Sequence, residues 1–91
     1  MLRWSEQKSQ WLLENRGVSF QEISDLILGS GLVDIVESPG RSQQQAFLVR
    51  HQRHIWVVPF VLESEGPIFL KTAYPSRKMT SRYGGEHGSK A

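Results

Sequence analysis

The longest apolar run of the chain, from Ile55 to Leu62, is separated by a short polar break from a second apolar run, Ile68 to Tyr74. The break, residues 63–67, contains serine, glycine and proline, which are typical of turns. Two such runs around a loop of about five residues predict a β-hairpin, and we expect its strands at the centre of a sheet. Pro59 lies inside the first run and cannot donate a backbone hydrogen bond, which predicts a bulge or a sheet edge there.

The N-terminal part of the chain has the pattern of a helix bounded by an N-cap residue and a C-terminal glycine. Ser5 is a good N-cap, residues 6–16 contain neither glycine nor proline, and Gly17 is a good helix stop because glycine adopts the left-handed conformation at little cost. The residues expected to supply the apolar side of this helix are Trp11, Leu12 and Leu13.

A second helix is predicted by the strongest local pattern in the chain. Ser19 and Glu22 form a capping box, in which each side chain takes a backbone N–H of the other residue. Val18 and Ile23 stand at the positions of a hydrophobic staple. Residues 29–31, Gly-Ser-Gly, end the helix, and its buried stripe is expected to be Phe20, Ile23, Leu26 and Ile27.

The remaining segments are interpreted as strands and turns. Residues 2–4 alternate between apolar and polar side chains, which predicts a short first strand. Residues 32–37 are rich in β-branched side chains, which predicts a longer strand. Residues 38–42 contain proline and glycine and predict a turn, and residues 51–53 predict a tight polar turn. The strand predicted at 45–50 is apolar on both faces, so we expect it between a helix layer and a partner.

The predicted order is therefore (β)ααββββ with a short basic C-terminal element, in which residues 77–83 form one or two helical turns. Short connections favour a mostly antiparallel sheet of about four strands with the two N-terminal helices packed on it, an α+β fold. We expect a single domain over residues 1–83 and a disordered tail over the glycine-rich residues 84–91.

Composition narrows the class of protein. A chain of 91 residues with 38% hydrophobic residues supports one small core. Formation of a homodimer or a hetero-oligomer would bury further apolar surface. The absence of cysteine excludes disulfides and thiolate metal sites, and it favours a reducing compartment such as the cytoplasm. Arg3, Glu6 and Lys8 interrupt any signal peptide, and no apolar run reaches the roughly 18 residues of a membrane span.

Charge is distributed unevenly along the chain. Residues 1–49 carry four basic and six acidic side chains, whereas residues 50–91 carry seven basic and three acidic ones. The C-terminal half therefore has the better potential for binding a polyanion, with ordinary solubility charge as the alternative.

Cleavage of a nucleic acid, one class of polyanion, needs a base, an acid and a cation near the phosphate, and it requires no metal where a 2′-hydroxyl is the attacking group. The side chains that could act as acids or bases are His51, His54, Tyr74, Tyr83 and Glu63. The cations that could hold the phosphate are Arg50, Arg53, Lys71, Arg77, Lys78 and Arg82. Three histidines without cysteine do not form a zinc pattern, and no glycine loop has the context of a nucleotide cradle, so we expect no cofactor and no metal.

Three short motifs give the chain a family resemblance. They are Trp4 with Lys8 four residues on, the sequence Gly-Val-Ser-Phe at 17–20, and Ser-Arg-Lys at 76–78. In this order and spacing they resemble the BrnT-type toxins of bacterial type II toxin–antitoxin pairs, over roughly residues 2–83. Those toxins are similar to the wider RelE/ParE-like group, in which two helices pack on an antiparallel sheet.

The resemblance implies an endoribonuclease that cleaves mRNA, free or on the ribosome, and so inhibits translation. It implies a cognate antitoxin that silences the toxin and also binds operator DNA, with no membrane partner. The alternative is a non-catalytic toxin of the same fold that blocks a protein target such as a topoisomerase, or a corepressor that acts only in its antitoxin complex.

Arg77 is the strongest candidate residue because it follows the last strand, belongs to a matched motif and has basic neighbours. Arg53 and His54 lie at a predicted hairpin tip, where functional sites are often found. Tyr83 either stacks on a base or anchors the C-terminal element. The full catalytic set is predicted to be Arg77, Lys78, Arg53, His54 and Tyr83, and the RNA-binding set Lys71, Arg50, Arg82 and Lys8.

Overall fold

The computed structural model of the protein describes residues 2–37 and 44–83. In chain order the elements are β1 (Leu2–Arg3), α1 (Glu6–Arg16), α2 (Phe20–Leu28), β2 (Leu32–Glu37), β3 (Gln45–His51), β4 (His54–Leu62), β5 (Ile68–Leu70), β6 (Tyr74–Ser76) and α3 (Arg77–Arg82). The predicted turn at 38–42 and the predicted tail at 84–91 lie outside the described residues.

The six strands form one sheet in the order β1-β5-β4-β3-β2, and β6 pairs with β4 beside β5. Every pairing is antiparallel except that of β1 with β5, which is parallel. The α+β class is therefore confirmed. Three helices and six strands are described, and the sheet is mixed, so the predicted sheet of about four strands is too small. The third helix, α3, lies where one or two helical turns were predicted in addition to the two N-terminal helices.

The extra strand arises because the predicted strand Ile68 to Tyr74 is two short strands that take different parts of β4. β6 pairs with residues 55–57, and β5 pairs with residues 60–62. Pro59 stands between these two pairings, and its carbonyl accepts the Lys71 N–H at 2.8 Å. The N–H and C=O groups of a strand residue point to the same side. The N–H that Pro59 lacks would therefore point at the link between β5 and β6, where no described strand pairs with β4.

β4 is an interior strand, and its register with β3 passes through Pro59 without a bulge. The predicted edge at Pro59 is therefore wrong. The predicted irregularity is found on the other side of β4, where Val57 pairs with Tyr74 and Phe60 with Leu70, so that residues 58–59 face the three residues 71–73.

The first face of the sheet is covered by α1 and α2. The buried side chains of this cluster are Leu12, Val18, Phe20, Ile23, Ile27, Phe47, Val49, Trp56, Val58, Phe60, Leu70 and Ala73. The capping box of α2 is present in both directions, and the Phe20 N–H also donates to the buried Ser9 hydroxyl at 3.0 Å. The stripe predicted for α1 is partly wrong, because Trp11 and Leu13 remain exposed and only one narrow side of the helix reaches the core.

The second face of the sheet is covered by α3. Its buried cluster consists of Ala46, Leu48, Ile55, Val57 and Met79. The alternation predicted for β3 is confirmed, since its odd residues 47 and 49 join the first cluster and its even residues 46 and 48 join this one. The cover on the second face is thus supplied by the chain itself. None of the helices in the described part of the chain is long and apolar enough to cross a membrane.

Candidate functional site

The orientation of α3 is fixed by one end of the helix and by its buried side. The Ser76 hydroxyl caps the helix by accepting the Met79 N–H at 3.1 Å, and Met79 is buried against the sheet. Because Met79 faces inward, the side chains of Arg77, Lys78 and Arg82 are left exposed on the outer side of the helix.

The β3–β4 hairpin ends in a two-residue turn, Gln52-Arg53. Both residues have a positive φ, 53° and 68°, as the tight primed hairpin turns require. Neither residue is glycine, asparagine or aspartate, so the turn costs about 1–3 kcal/mol for each residue held in the left-handed region. The Nδ1 atom of His54 lies 3.0 Å from the Gln52 carbonyl oxygen, which holds the imidazole at the tip.

The hairpin tip and the start of α3 meet at the same end of the sheet. Ile55 pairs with Ser76, and the Ile55 N–H donates to the Thr80 hydroxyl at 2.8 Å. His54 directly precedes Ile55, and Arg77 directly follows Ser76. The sheet register thus brings together two basic segments, 53–54 and 77–78, that are more than twenty residues apart in the sequence. We call these four residues the basic end.

Arg50 and Lys71 differ in their relation to the basic end. Arg50 pairs with Ile55 on β3 and so lies at the same end of the sheet. Lys71 lies in the link between β5 and β6, beside Pro59, and its Nζ is 5.7 Å from the centre of the Phe69 ring. Pro59 is the fourth residue after Ile55 along β4, which corresponds to a distance of about 13 Å. Lys71 is therefore on the sheet at a distance from the basic end.

Lys8 belongs to another layer of the molecule. It lies on α1, over the first face of the sheet, with its Nζ 4.2 Å from the centre of the Trp11 ring. Arg16 lies against the same ring at 4.9 Å and donates to the Ala73 carbonyl at 2.6 Å. The structure does not bring Lys8 together with the α3 residues, since α3 covers the opposite face.

Tyr83 follows α3 and is tied to the edge strand β2. Its hydroxyl donates to Oδ2 of Asp34 at 2.8 Å. This hydrogen bond is the main cause that raises the pKa of Tyr83 above its usual value, with desolvation and the negative charge of Asp34 acting in the same direction. At neutral pH the phenol therefore keeps its proton and shares it with Asp34. The contact favours anchoring over proton transfer, and the catalytic role of Tyr83 stays a prediction.

The other candidate acids and bases lie away from the basic end or inside the fold. Glu63 follows β4 at its far end, 3.6 Å from Arg3. His51 lies edge-on to Trp56 with the ring centres 6.1 Å apart, and its buried Nε2 has no hydrogen-bond partner among the described residues. Tyr74 packs against the cluster beneath α3. His54 is thus the exposed imidazole of the basic end.

An open pocket of about 400 Å³ lies beside α2 and the end of β3. It is lined by Glu22, Asp25, Leu26, Gly29, Ser30 and His51. Two carboxylates in its wall oppose the binding of a phosphate, so the pocket and the basic end suit ligands of opposite charge.

No family model, curated protein or solved structure matches the chain. The residues that position the basic end were not among the sequence candidates. Thr80 and Asp34 hold α3 through hydrogen bonds to residues 25 and 49 positions away, and nothing in their local sequence indicates those partners.

Proposed function

We propose that the protein is the toxin of a type II toxin–antitoxin pair and acts as a metal-independent endoribonuclease on mRNA, neutralised by a cognate antitoxin. The observation that supports this proposal is the pairing of Ile55 with Ser76, which brings His54 at the hairpin tip and the start of α3 to the same end of the sheet. A base and cations near the phosphate are two of the three kinds of group that cleavage through a 2′-hydroxyl requires.

In this proposal His54 is the general base. When its Nδ1–H donates to the Gln52 carbonyl, Nε2 carries the lone pair that accepts the proton of the attacking 2′-hydroxyl. Arg77 and Arg53 bind the phosphate, because the planar guanidinium can hold two phosphate oxygens as negative charge develops on them. Lys78 supplies a further positive charge from the first turn of α3. As the 2′-oxygen bonds to phosphorus, the bond from phosphorus to the 5′-oxygen breaks, and the departing oxygen takes a proton from water at this exposed end of the sheet, which leaves a 2′,3′-cyclic phosphate.

The test is inducible expression of the wild type, Arg77→Ala and His54→Gln in a bacterial host, following growth and the integrity of total mRNA. We expect the wild type to arrest growth with fragmented mRNA, and both variants to lose fragmentation. Removing a single group of this kind lowers a rate by about 10²-fold or more. Arg77 is exposed, and the helix cap is made by Ser76, so the Arg77→Ala variant should remain folded.

Arg3→Ala is the matched control. Arg3 is also an exposed arginine, but it contacts Glu63 beyond the far end of β4, about 26 Å from His54 along the strand. Arg3→Ala should fragment mRNA as the wild type does. Growth arrest with intact mRNA would refute the ribonuclease and favour the alternative, a non-catalytic toxin that binds a protein target such as a topoisomerase.

A further inference from the structure

The outer edge of β2 is the longer free edge of the sheet. β2 ends the strand order, and within the described residues no strand pairs with its outer side. The Arg50 N–H donates to the Gly31 carbonyl, on the β2 side of β3. Because successive residues of a strand direct their backbone N–H and C=O groups to alternate sides, the even residues of β3 direct theirs toward β2 and the odd residues toward β4. Ile35 pairs with Phe47, an odd residue, and its own N–H therefore points outward.

Large apolar side chains are exposed along this edge. Leu32 and Ile35 are 37% and 46% exposed, and Leu28, the last residue of α2, is 76% exposed. Leu32 and Ile35 pair with Val49 and Phe47, so they extend the first face of the sheet, which α1 and α2 cover, toward the outer edge of β2. Exposed apolar side chains beside an open strand edge are typical of a surface that accepts another polypeptide.

The charge of this side of the molecule restricts the partner. Residues 17–37, which include α2 and β2, carry four acidic side chains and no basic one. The acidic residues are Glu22, Asp25, Asp34 and Glu37. A second copy that paired β2 with β2 would bring like charges together, which is destabilising across a strand pair. A basic segment would be attracted instead.

The outward amide is shielded in the free chain. Oδ1 of Asp34 accepts the Ile35 N–H at 2.7 Å. An incoming strand must supply a carbonyl oxygen in place of this carboxylate, and its basic side chains can then pair with the displaced charge. This requirement discriminates against neutral or acidic strands.

We propose that the outer edge of β2, together with Leu28, is a docking site at which an extended, basic segment of a partner protein adds a strand to the sheet. Alternate apolar side chains of the segment cover Leu28, Leu32 and Ile35. The docking site involves neither RNA nor the basic end, so its failure would leave the proposed ribonuclease untouched.

The test uses a labelled peptide of about eight residues, alternating valine and lysine, long enough to span β2. Binding is followed by fluorescence anisotropy, and its location by hydrogen exchange of backbone amides. We expect saturable binding with slowed exchange of the Ile35 amide, and no binding of a valine–glutamate peptide. Ile35→Ser should weaken binding about tenfold, which corresponds to about 1.4 kcal/mol.

Leu62→Ser is the matched control. Like Ile35, Leu62 is a large apolar side chain exposed on a strand, at 66%, but it lies at the end of β4 and not on β2. It should bind the lysine peptide like the wild type. No saturable binding, equal binding of both peptides, or protection outside β2 would overturn the proposal. Self-association of the chain that protects the Ile35 amide without any peptide would also overturn it, in favour of a second copy as the occupant.

Discussion

Single hydroxyl groups determine how distant segments of this chain meet. The Ser9 hydroxyl accepts the Phe20 N–H and joins α1 to the start of α2. The Tyr83 hydroxyl donates to Asp34 and joins the end of α3 to β2. The first bond satisfies a backbone N–H in the first turn of α2, which has no partner within the helix, and the second joins two side chains.

The Asp34 contact predicts how Tyr83 titrates. In the folded chain the pKa of Tyr83 is raised above 10.0, so folding strengthens proton binding. This contribution to stability is complete below pH 10.0 and is lost as the pH rises through the folded-state pKa. Asp34→Asn removes the negative charge, and we expect it to lower the pKa of Tyr83 toward its usual value.

The measurement is the ultraviolet absorbance of the phenolate during a pH titration, in a Tyr74→Phe background so that Tyr83 is the only tyrosine left. Glu37→Gln is the control, because it removes a carboxylate from the same strand, three residues from the Asp34 that accepts the Tyr83 hydrogen bond. An unchanged titration of Tyr83 in Asp34→Asn would contradict the assigned cause.

At the scale of elements, local chemistry predicts boundaries well and partners poorly. Both halves of the Ser19–Glu22 capping box are made, and Gly17 ends α1 with a φ of 76°, so α1 and α2 begin and end where the sequence indicates. The segment 68–74 was predicted as one strand although Lys71 and Thr72 interrupt its apolar pattern, and the link between β5 and β6 begins at Lys71. Its division depends on which part of β4 each half reaches, and that is decided by tertiary packing.

Thr80 gives a prediction about how α3 is held. Thr80→Val keeps the shape of the side chain but removes the acceptor of the Ile55 N–H, and Ile55 is fully buried. An unsatisfied buried donor costs about 1–3 kcal/mol, so Thr80→Val should lower the free energy of unfolding by that amount. Thr80→Ser retains the hydroxyl and should cost less than about 1 kcal/mol. Urea denaturation distinguishes them, and equal stability of the two variants would show that this hydrogen bond is not needed.

Over the whole molecule, charge is divided between two sides. The basic end lies at the hairpin tip and α3, and the acidic side chains of α2 and β2 lie along another edge. The sequence indicated the cations but not their grouping. The segments of Arg53 and Arg77 reach the same end of the sheet through the register of β4 with β6, whereas Lys8 lies across the sheet from α3. Local patterns do not contain that register, which explains why the candidate set was broader than the group brought together.

This division predicts a salt dependence for RNA binding. For single strands, the logarithm of the binding constant falls against the logarithm of salt concentration with a slope of about −0.7 for each phosphate contacted. With a fluorescent oligouridine as the probe, Arg77→Ala should reduce the steepness of this slope by about 0.7. Arg3→Ala should leave it unchanged, since Arg3 lies beyond the far end of β4. Equal slopes for all three proteins would place the RNA elsewhere.

Asp34 gives the two sides of the molecule a thermodynamic connection. One of its carboxylate oxygens holds the outward amide of β2, and the other holds the residue that closes α3. A strand that displaces this carboxylate from the edge changes the free energy of holding α3, which carries Arg77. Coupling free energies are reciprocal, so a ligand that orders α3 must alter the affinity of the β2 edge by the same factor. Binding of a strand at β2, as proposed, would therefore be coupled through the Asp34 side chain to any ligand that orders α3.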